Sequence, residues 1–65
     1  MNKALTIHLQ GHFVGALHAI QLLRSMRDSH RGEPLGQFAD SLLAEIEADR
    51  DVLATLIEKI GATPA

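Results

Sequence analysis

Cysteine, tryptophan and tyrosine are absent from the 65 residues, and phenylalanine occurs only twice. Without cysteine there is no disulfide and no thiolate metal site. That absence suits a reducing cytoplasm, which is the expected location. Two aromatic rings leave little for base stacking. Positive charge is also scarce, with six Lys and Arg against eight Asp and Glu and a net charge of −2. A nucleic-acid footprint normally needs a basic face, so no nucleic-acid partner is expected. The cations do cluster in "RSMRDSHR", residues 24–31, but Asp28 interrupts them. They read as a solvated helix end, where cations suit the helix dipole. The longest apolar runs are far too short for a bilayer, and "MNKALTIHLQG" lacks the apolar core and cleavage site of a signal peptide. No membrane association is expected.

What the chain does have is helical periodicity. The first segment, about 3–29, places Leu5, Leu9, His12, Phe13, Ala16, Ile20 and Leu23 on one face and Lys3, Thr6, Gln10, Gln21 and Ser25 opposite. Asn2 is a suitable N-cap, and Gly32 lies where a left-handed residue stops a helix. The link 30–33 falls within "HRGEPLG", and Pro34 fits the first position of a new helix. The second segment, about 34–60, carries Leu35, Phe38, Ala39, Leu42, Leu43, Ile46, Leu53, Leu56, Ile57 and Ile60, and Gly61 and Pro64 end it. Neither segment alternates with period two, which argues against strands.

The expected fold is therefore all-α: an antiparallel two-helix hairpin, each helix about 40 Å long at 1.5 Å per residue. A chain this short buries only about 60% of its unfolded surface. A lone hairpin covers only part of each apolar face. Two hairpins closing into a four-helix bundle with twofold symmetry is the simplest solution, so a homodimer or higher homo-oligomer is expected.

"HLQGHFVGALH", residues 8–18, holds three of the four histidines. Steps of three and four along the first helix give Leu5, Leu9, His12, Ala16, Ala19, Leu23 and Met26. The same steps along the second give Leu35, Ala39, Leu42, Ile46, Asp49, Leu53, Leu56 and Ile60. His12 and Asp49 are the polar interruptions. Folding the hairpin about Arg31 sets residue n level with roughly 62 − n, since both helices rise equally per residue. His12 and Asp49 then share a layer and are expected as a buried polar pair that fixes register. The pair could form within one hairpin or between two.

The alternative is a transition-metal site, iron for example, in which His8 and Glu45, each one turn before its neighbour, join His12 and Asp49. The Glu-x-x-His spacing of carboxylate-bridged bundles is absent from "EIEAD". The leading reading has no cofactor. Gly11 and Gly15, with Ala4 and Ala19, form a small-residue stripe. Glycine costs roughly 0.5–1 kcal/mol against alanine inside a helix, so the stripe predicts close helix packing at a second contact surface, such as one between subunits. Ser25, Ser29 and Ser41 have no base or oxyanion donors arranged for nucleophilic catalysis.

"GHFVG", "EPLGQF" and "EIEADR" together resemble a family of small, uncharacterised bacterial helical proteins with a ferritin-like arrangement. That family carries an N-D-H-L-x-G-like stretch, a G-x-P-L-x-x-F link and then E-I-E-x-D-R. His12, Gly15, Pro34, Phe38, Glu45, Asp49 and Arg50 stand at matching places. Gly11 stands where an acidic residue is expected. The resemblance implies longer relatives with further helices, this chain corresponding to their N-terminal half. It implies no activity. The expected function is self-association or protein interaction without catalysis, with metal binding through His12, Glu45 and Asp49 as the alternative.

Overall fold

Capping chemistry sets where each helix starts and stops. The computed structural model describes residues 2–64. Helix α1 spans Lys3–Ser29 and helix α2 spans Pro34–Lys59, and among the described residues there is no strand. Asn2 is extended, and its side-chain oxygen accepts a hydrogen bond from the Leu5 N–H at 3.0 Å. This satisfies one of the donors that every helix start leaves free. At the other end of α1 the His30 N–H donates to the Met26 carbonyl at 3.1 Å, and Gly32 turns the chain with φ +79°. Pro34 opens α2, where its missing N–H costs nothing. α2 ends in a paired-bond cap: Ala62 N–H donates to the Ile57 carbonyl and Gly61 N–H to the Glu58 carbonyl. Gly61 takes the left-handed conformation this cap requires, with φ +84°.

The two helices pack along their length as a hairpin measuring 47 × 14 × 13 Å. Ile20, Leu23, Ala39 and Leu43 form the buried cluster, with Met26, Leu42 and Ile46 against it. Ile57 is fully buried nearer the open end. Close backbone approach occurs at Gly36, which is buried against the turn. A Cβ there would collide with the His30 carbonyl oxygen and lie 2.8 Å from its carbon.

The seam between the helices is turned relative to the one the three-and-four spacing predicts. Gly36, Ala39, Leu43 and Ile57 are the buried residues of α2. Leu35, Asp49 and Leu56, expected inside, are exposed, as are Leu5 and His12 on α1. At 100° per residue these displaced residues fall together on one side of the hairpin. That side is called the front face below.

Candidate functional site

The front face carries an open groove of about 450 Å³ between the helices. Gly11, His12, Gly15, Ala16 and Ala19 of α1 form one wall, and Ile46, Asp49 and Leu53 of α2 form the other. The groove exists because the α1 wall is built from glycine and alanine, whose side chains stop short of α2. By helical phase, His8 and Met26 extend the wall along α1, and Leu35, Leu42, Leu56 and Ile60 extend it along α2. Leu35 and Leu56 are more than two-fifths exposed.

The back of the hairpin is chemically different. Arg24 donates to Glu47 at 3.1 Å across the helices, and Arg27 lies 3.9 Å from Asp40. The Gln10 amide donates to the Thr63 carbonyl at 2.8 Å, holding the end of the chain against α1. Arg24, Arg27 and Gln10 thus find partners within the hairpin, while Glu58, at the same helical phase as Asp40, has none among the described residues.

The sorting extends to single carboxylates. Between residues 28 and 51, Asp28, Glu33, Asp40, Glu47 and Asp51 each have a cationic or imidazole partner. Among the described residues, Glu45 and Asp49 have none, and nor does Glu58 near the end of α2. Glu45 and Asp49 lie toward the front by helical phase. His8 and His12 also have only each other, their rings meeting edge-on with centroids 4.8 Å apart.

Three of the arrangements expected for these residues do not occur within a single hairpin. His12 and Asp49 do share a groove, as their matching levels require, but the hairpin buries neither. The hairpin has no buried polar side chain among the described residues, and no hydrogen bond joins the pair. The cause is phase: the inter-helix seam runs through Ile20 and Leu43, leaving His12 and Asp49 at its front edge. For the metal alternative, His8, His12, Glu45 and Asp49 do not gather as ligands within one hairpin. No cluster of three or more His, Asp or Glu suited to a metal occurs among the described residues. The chain's own donors stop at an imidazole pair, short of the three protein ligands an open metal site requires. Finally, Gly11 and Gly15 make no close packing between α1 and α2, since a Cβ at either would meet nothing within 4 Å. Their flank faces the open groove.

Gly36 is the close-packing glycine that sequence reasoning missed. Two residues after Pro34, it reads as part of the turn. No described helix is long and apolar enough to cross a membrane. No protein-family model, characterised protein or solved structure matches the chain. The ferritin-like resemblance therefore rests on the quoted motifs alone.

Proposed function

We propose that this chain acts by self-association, with two hairpins closing front to front as a four-helix bundle. The observation that carries this reading is the contrast between the two sides of the helix seam. Arg24–Glu47 and Arg27–Asp40 bridge it at the back, whereas at the front it opens into a groove lined mainly by small and apolar side chains. Exposed Ile7 and Val14 on the outer flank of α1 stay outside that surface. The surface agrees with half a bundle. The accessible area is 4476 Å², against about 4,100 Å² for a typical folded monomer of this mass. The radius of gyration is 14.1 Å, against roughly 10.7 Å for a compact chain of this length. A front face 47 Å long and two helix diameters wide has a planar area on the order of 1,000 Å², close to the ~800 Å² each partner buries in a stable complex.

The reading predicts a dimer at micromolar concentration by light scattering on a sizing column. Gly15→Leu separates the hairpin from the assembly. Within the hairpin the new side chain has open space and better helix propensity. In the dimer it fills the groove. The variant should keep its helix content and shift toward monomer. A monomeric parent, or a Gly15→Leu chain that melts higher with its oligomeric state unchanged, would overturn the proposal.

A further inference from the structure

We infer that the second hairpin docks with its turn at the same end as the first, so that His12 of each copy meets Asp49 of the other. This rests on the self-association reading and adds the orientation and the polar contacts of the partner.

Two twofold arrangements can bring front faces together. In one, the dyad runs along the helices, the turns share an end, and each α1 faces the partner's α2. In the other, the dyad crosses the helices, the turns lie at opposite ends, and like helices face each other. The charges on the face distinguish them. The ionisable residues of α1 that reach the groove side are His8 and His12, and those of α2 are Glu45 and Asp49. With the crossing dyad at the level of the groove, like helices facing each other would set Asp49 against the partner's Asp49, and like-charge juxtaposition across an interface is unfavourable. The shared-end arrangement sets imidazoles against carboxylates.

Levels support the same choice. Equal rises counted from the turn set His12 level with residue 50, one residue from Asp49, and both line the same groove. A dyad parallel to the helices preserves height, which places His12 opposite the partner's Asp49 and repeats the contact on the other side. Both residues lack a cross-helix partner in the single hairpin, whereas Asp40 and Glu47 of α2 each have one. The small α1 wall lets the partner's helix come close enough for the contact.

Two measurements test the inference. The single variants His12→Asp and Asp49→His each leave both contacts mismatched in their own homodimers. Each should dimerise roughly tenfold or more weakly. A one-to-one mixture restores an imidazole opposite a carboxylate at both sites, and should recover the parent's association. Spin labels on an Arg31→Cys parent give the orientation, because Arg31 sits in the turn and is largely exposed. Labels at a shared end should lie about 20 Å apart, two helix spacings. Turns at opposite ends would separate them by close to the 47 Å length of the hairpin. The long distance overturns the orientation. A parent dimer whose mixed variants show no recovery overturns the pairing. A monomeric parent removes the self-association reading itself, and the orientation falls with it.

Discussion

At Gly36 the chain admits nothing larger than hydrogen, because a Cβ meets the backbone of His30 rather than a movable side chain. Gly36→Ala should therefore destabilise the hairpin by about 1–3 kcal/mol, the usual penalty for overpacking, despite alanine's better helix propensity. Urea denaturation with circular dichroism checks this, and an unchanged or raised midpoint would show that the turn can yield. Single residues with local chemistry were the most legible part of the sequence. Asn2 caps its own helix, Gly32 turns left-handed and Pro34 opens α2, because each effect depends on neighbours within a few residues. Gly36 was not legible. Its constraint comes from His30, and no local pattern records how closely the turn folds back onto α2.

At the scale of the helix, neighbouring residues can lie in opposite environments. Ile57 is fully buried and Leu56 is 44% exposed. Ile57→Ala should cost about 2–5 kcal/mol in thermal unfolding. Leu56→Ala should cost far less in dilute solution, where only the hairpin is at stake, and should act mainly on association. Comparable losses for both in dilute solution would mean that the seam runs elsewhere. The helices themselves were legible from period and caps, but their rotation was not. Each apolar stripe contains two surfaces, the seam toward the other helix and the front face beside it. Periodicity reports the centre of the whole stripe. Leu42 lies nearer that centre than Leu43 does, and Asp49 and Ile57 lie about equally far from it on opposite sides, so spacing alone does not tell the hairpin seam from the front face. His12 and Asp49 likewise lie at the front edge of the seam and not inside the single hairpin.

For the whole molecule, the short core sets the terms. The buried residues are few and lie along a line, so in the proposed dimer a second layer of side chains over the front face adds stability that the hairpin lacks. Binding that favours the folded state raises apparent stability with concentration. The melting temperature should therefore climb with protein concentration, and Gly15→Leu should flatten that dependence. The small residues of the α1 wall were legible as a stripe beside the main apolar face, and in the hairpin they border open space.

The Gln10–Thr63 hydrogen bond brings the end of α2 back beside the first turns of α1. In the proposed bundle, with both turns at one end, residues 2 and 64 of both copies gather at the other. Two copies of the sequence could then be joined head to tail through a short flexible linker without disturbing either hairpin. Such a tandem chain should melt at a temperature independent of concentration, because the partner is supplied at an effective concentration in the millimolar range. Were the turns at opposite ends, the linker would have to run the 47 Å length of the molecule, which takes about 14 extended residues. Shortening the linker in steps thus measures the architecture: tolerance of a five-residue link fits gathered ends, and a loss of folding below about 14 residues fits separated ones.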